Sequence, residues 1–343
     1  MAIQLYDTHT LMGVVRTLHD PVTFWLDLCF PTVQTFDTEY IDFDVIDRQR
    51  RMAPFVVPTA QGVPMYQQGY TTRQFKPAYS KMKDVVDPRR VIKRQAGEMI
   101  GGSLSNEQRR MAIITDILQH HRNYLVRRME WMAANAVIGG QVTIAGENYP
   151  SSVVQFGRDA GQTVVLGSGS RWGDAGVNIL SLIDDWGTQT QQLSSYAPTL
   201  LIMGTNAWKV FISDTNVQRV LDTRRGSQSR LETGPGSFLP AQYKGTLGAS
   251  LEAWTYNDIY TDNSGANQPI MDPSSIVLLN PAGVEGVRTY GAILDANAGY
   301  IPTEIYARNW IDDDPAVEMV MTQSSPLPIV TRPNAVFTAK VVA

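Results

Sequence analysis

One helical pattern dominates this sequence, beginning at Ser105 and ending at Gly139-Gly140. Ser105 can cap the first turn, and Gln108, three residues later, completes a capping box. Apolar residues then recur at every third or fourth position, which is the period of an amphipathic helix, and the glycines supply a left-handed C-terminal cap. The pattern predicts one helix over about 105–138. It would be roughly 50 Å long, so it needs a sheet or a partner along its length.

Shorter apolar patterns precede this helix. Residues 1–50 show small apolar pieces among Asp and Thr but no long helical period, which favours an extended arm. Residues 51–97 combine β-branched and aromatic residues with Gly and Pro, which favours a long hairpin. This segment has too few apolar residues for a local core, and a two-stranded ribbon alone is marginal in water. We therefore expect it to lie on another subunit.

The second half of the chain mixes helix and strand signals. Residues 174–302 alternate the two, as in an α/β or α+β domain. Residues 303–343 are strand-like, and we expect them to return and pair with the strands that follow the long helix. Strands are predicted at 40–46, 55–57, 70–76, 141–145, 152–156, 199–203, 275–279, 318–322 and 335–342, and further helices at 174–192, 205–212 (capped by Thr205) and 214–223.

Composition permits a large core. The chain has 343 residues, 43% of them hydrophobic, which suits about two domains. No run of about eighteen apolar residues occurs, so no membrane helix is expected. The first residues lack the basic and apolar regions of a secretory signal. Cys29, the only cysteine, lies among Leu26, Leu28 and Phe30, which favours a buried thiol in a protein made in a reducing cytoplasm.

The net charge of −4 hides an uneven distribution. Residues 1–47 hold eight acidic residues and one Arg, a net of −7; residues 48–128 hold sixteen basic and five acidic residues, a net of +11; residues 129–343 carry a net of −8. Neighbouring copies can use this split, each presenting one sign to the other. Solvated faces with accidental clustering are the alternative. The candidate contact residues are Asp37, Glu39, Asp42 and Asp44 on the acidic side and Arg89, Arg90, Lys93 and Arg94 on the basic side.

Arg224 and Arg225, followed by Gly226, form a further candidate contact. The two guanidinium groups can bridge carboxylates of a neighbouring subunit. Equally, they can complement the carbonyls at a helix C-terminus, with Gly226 as the left-handed cap. The two interpretations are compatible, and both stay open.

No motif predicts a catalytic, cofactor or metal site. His120 and His121 point about 100° apart on the predicted helix and cannot share a metal at usual geometry, so we expect a solvent-facing or interface pair. Asp312 to Asp314 before Pro315 is typical of a solvated turn. Gly167–Gly173 lacks the spacing of a phosphate loop, and no nucleophile elbow occurs. We therefore expect no enzyme. An α/β enzyme with dispersed residues and a DNA-binding protein that uses the basic middle are the alternatives.

Two segments of the second half carry a family resemblance. The first, Asn216 to Thr233, contains Asp222-Thr-Arg-Arg-Gly-Ser227; the second, Gly286 to Met321, contains Arg288-Thr-Tyr-Gly291, Tyr306-Ala-Arg-Asn-Trp310 and Asp314-Pro-Ala316. They are similar, in the same order, to segments of the major capsid protein of lambda-type tailed bacteriophages. The succession of arm, long loop, long helix and mixed domain also resembles that family's layout over the whole chain.

The resemblance implies an α+β tailed-phage major capsid fold. Its parts are an N-terminal arm, an extended β-hairpin loop, a peripheral domain with a long spine helix, and an axial domain at the centre of each capsomer. In this chain they would be 1–50, 51–97, 98–173 together with 303–343, and 174–302, in that order.

The resemblance also implies partners. Subunits would form hexamers and pentamers of an icosahedral shell that encloses double-stranded DNA without sequence specificity. A portal protein would occupy one vertex, and a small decoration protein the threefold positions. Arm-like sequence begins almost at Met1, so a separate scaffolding protein is expected. Assembly would take place in the bacterial host cytoplasm, with neither membrane nor cofactor.

Overall fold

The computed structural model describes residues 6, 8–19, 21–46, 52–53, 55–59, 61, 70–93, 104–146, 149–222, 240–248, 251–262, 264–314 and 316–343. The helices are α1 (Thr8–Thr17), α2 (Trp25–Cys29), α3 (Pro88–Ile92), α4 (Asn106–Gly139), α5 (Ile179–Ser194), α6 (Thr205–Ser213), α7 (Thr215–Val220) and α8 (Pro281–Val284). The strands are β1 (Thr32–Thr35), β2 (Ile41–Ile46), β3 (Tyr70–Phe75), β4 (Ser80–Val86), β5 (Gln141–Gly146), β6 (Tyr149–Gln155), β7 (Thr163–Val165), β8 (Leu200–Met203), β9 (Leu221–Asp222), β10 (Ala241–Leu247), β11 (Leu251–Tyr256), β12 (Ile259–Thr261), β13 (Asn267–Pro269), β14 (Ser275–Leu279), β15 (Gly286–Tyr290), β16 (Tyr306–Asp312), β17 (Val317–Ser324), β18 (Pro326–Val330) and β19 (Val336–Lys340).

The predicted long helix is confirmed as α4. The Ser105 hydroxyl accepts from the Gln108 N–H at 3.2 Å, and the Gln108 side chain accepts from the Ser105 N–H at 2.9 Å, so the capping box is complete. At the other end Gly140 is left-handed, with φ of 65°. The half-buried Arg158 guanidinium donates to the carbonyl oxygens of Val137 and Ile138, where it complements the negative end of the helix dipole.

A seven-stranded mixed sheet with the order β7-β19-β14-β8-β11-β10-β9 forms the centre of the fold. The predicted strands 199–203 and 275–279 are confirmed as β8 and β14 in its middle. β14 is buried at every position, because α5 and α6 cover one face of the sheet and the core around α4 covers the other. A continuous apolar run is what a strand covered on both faces requires.

The expected pairing of residues 303–343 with the strands after the long helix is wrong for β5 and β6, but β19 does pair with β7, a short strand that also follows this helix. β5 and β6 pair with each other, whereas β19 pairs with β14 and β7, and β17 pairs with β16 and β4. Burial explains the difference. β19 is buried along nearly all its length and needs the middle of a covered sheet, whereas β5 exposes Gln141 and Thr143.

The predicted hairpin of residues 51–97, called the ribbon below, is built from strands other than those expected. β3 pairs with β2 in the register Ile41↔Phe75, so its first strand is 41–46, and residues 55–57 form no strand. β4 forms the edge of the β16-β17-β4 sheet, and α3 packs on α4. The expectation that this segment finds no surface in its own chain is therefore wrong for residues 80–92, because pairing with β17 satisfies the β4 backbone without a local core.

The arm is partly helical rather than extended throughout. Leu11 and Val15, four residues apart on α1, are buried in one cluster with Ile114 and Leu118 of α4. Such a short helix is marginal alone, so its apolar contacts with α4 stabilise it. Long-range packing of this kind leaves no long period in the sequence.

Two helix starts differ from expectation. α5 begins at Ile179 after the Asn178 cap, later than predicted. Thr205 is the first residue of α6, and Gly204 occupies the cap position. A Cβ on Gly204 would lie 2.4 Å from the Pro273 carbonyl oxygen, so the close approach of this loop requires glycine.

Glu130 binds the arm to α4. Its carboxylate is buried and accepts the backbone N–H groups of Phe24, Trp25 and Leu26 at 2.9, 2.8 and 3.0 Å. Donors at the start of a helix such as α2 have no partner within the helix itself. Burial raises the pKa of Glu130, and the three N–H groups counteract part of that rise. One side chain thus takes the place of water at the start of α2 and positions it on α4.

We expect Glu130→Gln to loosen the arm. The amide turns an N–H donor towards the donors of α2, so the variant should lose about 2 kcal/mol of stability. Urea unfolding measures this loss, and hydrogen exchange at residues 24–26 should accelerate. Glu107→Gln, an exposed change in the first turn of the same helix, is the control. Unchanged exchange at 24–26 would show that apolar packing alone holds α2.

Candidate assembly interface

The acidic candidate residues lie on and just before β2. Asp37 and Glu39 are exposed in the bend that precedes this strand, and Asp42 is exposed on it. Asp44 stands on β2 opposite a residue of β3. Glu39 has a partner in its own chain, since its Oε1 lies 2.5 Å from Lys76 Nζ. Part of the acidic end therefore meets the basic middle inside one subunit.

The basic candidates gather on a short helix. Arg89 and Arg90 belong to α3 and Lys93 follows it, and all three are exposed. Asp87 caps this helix by accepting the Arg89 N–H at 2.8 Å. Arg90 Nη2 lies 3.6 Å from Asp116 Oδ2 on α4, an exposed pair that contributes little stability. Arg94, Arg224 and Arg225 lie outside the described residues.

The two sets do not meet within the described part of one chain. Asp37 and Asp42 form no ion pair there with α3 or with Lys93. Asp37, Glu39 and Asp42 on one side and Arg89, Arg90 and Lys93 on the other are exposed and can be reached by a second copy. Their role in contacts between subunits stays a prediction.

Among the exposed apolar side chains of the described residues are two pairs whose members lie close in the sequence. Met52 and Phe55 are 86% and 104% exposed, and Leu294 and Tyr300 are 50% and 60% exposed. The loop of the second pair is held from inside, because Asp295 accepts from Gln323 Nε2 at 2.6 Å. Exposed apolar groups that lie together are typical of contact surfaces. Sequence patterns did not single out either group.

His121 is buried, contrary to the expectation of a solvent-facing or interface pair. Its Nδ1 lies 2.8 Å from Thr322 Oγ1 and its Nε2 lies 3.1 Å from Asp84 Oδ2, so it links α4 to β17 and β4. Burial lowers the pKa of His121, and the Asp84 carboxylate offsets part of the change. His120 is exposed instead. The angle of about 100° between helical neighbours is the only sequence signal for this difference.

A buried ion pair fixes the same region. Arg110 of α4 donates to the two carboxylate oxygens of Glu318 on β17 at 2.6 and 2.8 Å. Asn309 donates to Glu318 at 2.7 Å, and the Tyr6 ring centre lies 4.7 Å from the Arg110 guanidinium carbon. Arg110 and Glu318 are 208 residues apart, so no local pattern could indicate this pair.

The described residues contain no group of three His, Cys, Asp or Glu that could hold a metal ion. Among the helices described, none has both the length and the apolar character needed to cross a membrane. Cys29 is buried, and burial raises the pKa of its thiol far above the usual range. The reactive thiolate form is therefore disfavoured at this position.

The known proteins most informative about this chain are capsid proteins. The family described as Phage major capsid protein E matches residues 7–341. The major capsid protein of Enterobacteria phage P21 is 30% identical over 335 residues, covering 96% of this chain and 97% of that protein. The major capsid protein of Escherichia phage lambda is 30% identical over 337 residues, covering 97% and 98% respectively.

Solved structures agree with the described fold. A candidate capsid protein of a prophage from Escherichia coli CFT073 is similar with a TM-score of 0.76 and 26% identity, over 99% of this chain and 100% of that one. A phage-related protein from Bordetella bronchiseptica RB50 has a TM-score of 0.50 and 11% identity, over 99% and 98%, which supports the fold alone. The predicted α+β tailed-phage capsid fold is confirmed.

We expect the contact at His121 to make stability depend on pH. Its pKa in the folded chain lies below the ordinary value of 6.5. The unfolded chain therefore binds the proton first, and stability should fall as the pH decreases below about 6.5. Urea unfolding between about pH 7.5 and 5 should show a smaller decrease for His121→Gln. The exposed change His120→Gln is the control. An unchanged pH dependence in the His121 variant would assign the acid sensitivity to other groups.

Proposed function

The chain belongs to the phage major capsid protein E family, and we propose that its copies close into an icosahedral shell of hexamers and pentamers around double-stranded DNA. The protein is a structural subunit of a phage capsid and assembles with copies of itself into the shell of the virion. The extent of the match carries this function. Residues 7–341 fit the family, and the P21 and lambda proteins are matched over 97% and 98% of their length.

The exposed groups support contacts through the ribbon and the arm. Phe55 and Met52 are nearly fully exposed in a single subunit. Their burial against a second copy would gain about 25 cal/mol per Å² of apolar surface. The acidic bend before β2 and the basic helix α3 form no ion pair with each other among the described residues, so both are available as complementary surfaces of neighbouring copies. Each subunit would therefore bind its neighbours through exposed apolar side chains and through complementary charged side chains.

The parts of the subunit have proposed places in the shell. We assign the arm to 1–50, the extended loop to 51–97, the peripheral domain to 98–173 with 303–343, and the axial domain to 174–302. The spine helix of the peripheral domain is then α4. The peripheral and axial domains share the seven-stranded sheet, since β19 pairs with β14 on one side and with β7 on the other.

Further partners are proposed from the family role. A separate scaffolding protein would guide assembly in the host cytoplasm, a portal protein would occupy one vertex, and a small decoration protein would bind at the threefold positions. Packaged DNA would be held without sequence specificity. No catalytic role is proposed for this chain, because a shell subunit performs its function by binding copies of itself.

Co-expression of the chain with its scaffolding protein tests the proposal. We expect electron microscopy to show capsomers or closed shells and sedimentation to detect megadalton particles. A stable, monodisperse monomer under assembling conditions would contradict it. A monomer with salt-dependent affinity for DNA would favour the DNA-binding alternative.

Charge reversal on α3 should impair assembly while leaving the subunit folded. Exposed ion pairs are worth only ~0–1 kcal/mol each, but every subunit repeats them. The variant combines Arg89→Glu, Arg90→Glu, Lys93→Glu and Arg94→Glu. We expect fewer shells by electron microscopy and an unchanged urea midpoint.

A rescue experiment identifies the partner surface. Changing Asp37, Glu39, Asp42 and Asp44 to Lys in the charge-reversed chain should restore shells if these groups pair across subunits. Lys209→Glu with Arg219→Glu, two exposed reversals on α6 and α7, is the control. Normal assembly of the α3 variant at physiological salt would mean that these charges are solvated faces.

A further inference from the structure

The outward side of α4 carries a row of aromatic and cationic side chains. The row consists of His120, Tyr124, Arg127, Arg128 and Trp131, and we call it the α4 strip. Apart from the adjacent arginines, its members are three or four residues apart, so they lie on one side of the helix. Tyr124 is 62% exposed, and the His120 and Arg127 side chains are 58% and 49% exposed. His120, Tyr124, Arg127 and Arg128 are therefore exposed, whereas Trp131 at the end of the strip is half-buried against the core that the opposite side of α4 forms.

Contacts within the strip hold its rings in place. The His120 and Tyr124 rings stack with centres 6.5 Å apart and an angle of 27°. The Arg128 guanidinium lies 5.4 Å from the centre of the Trp131 ring, and Trp131 meets Tyr260 edge-on at 6.0 Å. The aromatic faces are thus ordered on the helix before any ligand binds, which lowers the entropy cost of binding.

The charge along the strip is positive. Arg128 has no carboxylate within salt-bridge distance in the described part of the chain. Arg127 Nη1 lies 3.2 Å from Asp258 Oδ2. The cations of α3 continue the row, because Arg90 reaches Asp116 one turn before His120. From Asp116 to Trp131 the row spans ~22 Å. Asp116 pairs with Arg90 and Asp258 with Arg127, so the Arg128 guanidinium is the charge of this row that no carboxylate of the described residues offsets, in a chain whose net charge is −4.

The side-chain types select among possible ligands. A helix docking on α4 would need an aliphatic seam, and the strip contains none. Guanidinium groups bind phosphate oxygens, and an exposed Tyr hydroxyl donates to phosphate while its ring packs against the sugar. A positive patch attracts a polyanion, and the regular row of phosphates along a nucleic acid matches a row of cations better than scattered carboxylates do. The strip therefore fits a nucleic acid better than a protein.

We propose that the α4 strip is a nucleic-acid-binding surface that contacts the phosphate backbone of DNA without reading its sequence. The inference rests on the proposed function, because a shell that encloses DNA must offer it an inner surface. The inference adds to the proposed function which face of the subunit meets the DNA. The outward side of α4 would face the interior of the shell.

Binding of a short duplex to purified capsomers of the full chain tests the proposal. Arg128→Glu should weaken affinity roughly tenfold and should reduce the slope of log affinity against log salt by about 1. Tyr124→Ala should weaken affinity roughly fivefold without changing that slope, because it removes a neutral hydroxyl donor to phosphate. Neither effect should depend on the sequence of the duplex. The controls are Arg219→Glu and Leu193→Ala, which alter an exposed Arg and an exposed apolar residue elsewhere.

Filled shells provide a second readout. Shells loaded with bromodeoxyuridine-containing DNA and irradiated should yield cross-links in the tryptic peptide 123–127. Shells that form normally, give no such cross-link and show unchanged affinity in both variants would overturn the inference while leaving the proposed function intact. Loss of shells in the wild type, with the variant effects on DNA affinity present, would contradict the proposed function alone. Normal DNA affinity with lost binding of the scaffolding protein would assign the strip to a protein partner and overturn the inference.

Discussion

The rest of the structure depends on α4 being covered along its length, and polar groups within the described chain accomplish this at four points. Arg110 binds Glu318 near the start, His121 binds Asp84 and Thr322 in the middle, Glu130 binds the first turn of α2, and Arg158 binds the last carbonyl groups. Apolar side chains can slide past one another, whereas a buried ion pair or a buried carboxylate is costly in any position but one. These contacts therefore set the register of the arm, the ribbon and the C-terminal strands on a single helix.

This arrangement separates a packed core from the surfaces that we propose contact neighbouring copies. The central sheet and α4 bury the large apolar residues, while the bend before β2, the helix α3 and the segment around Phe55 remain exposed. Individually such exposed contacts are weak. A shell repeats each contact many times, so weak contacts suffice for a stable assembly, and single weak contacts can break and reform while the shell is built.

Local patterns predicted the elements well where the local environment alone decides them. The capping box and glycine cap of α4 and the apolar runs of β8 and β14 appear in the structure as expected. The predictions failed where contacts with a segment distant in the sequence determine the local structure or burial. α1 forms because Leu11 and Val15 meet α4, β4 finds its surface on β17, and His121 is buried because strands from two distant segments close over it.

The sequence by itself determined the long helix, the central strands, the uneven charge and, through two short segments, the family. These follow from hydrogen bonds and periodicity within a few residues, or from residue order, and both are readable along the chain. Only the tertiary structure decided which strands pair, that Glu39 pairs with Lys76 inside the subunit, and that one side of α4 stays exposed as a cationic and aromatic row. Pairing and exposure depend on distances between residues that lie far apart in the chain, and no local pattern encodes those distances.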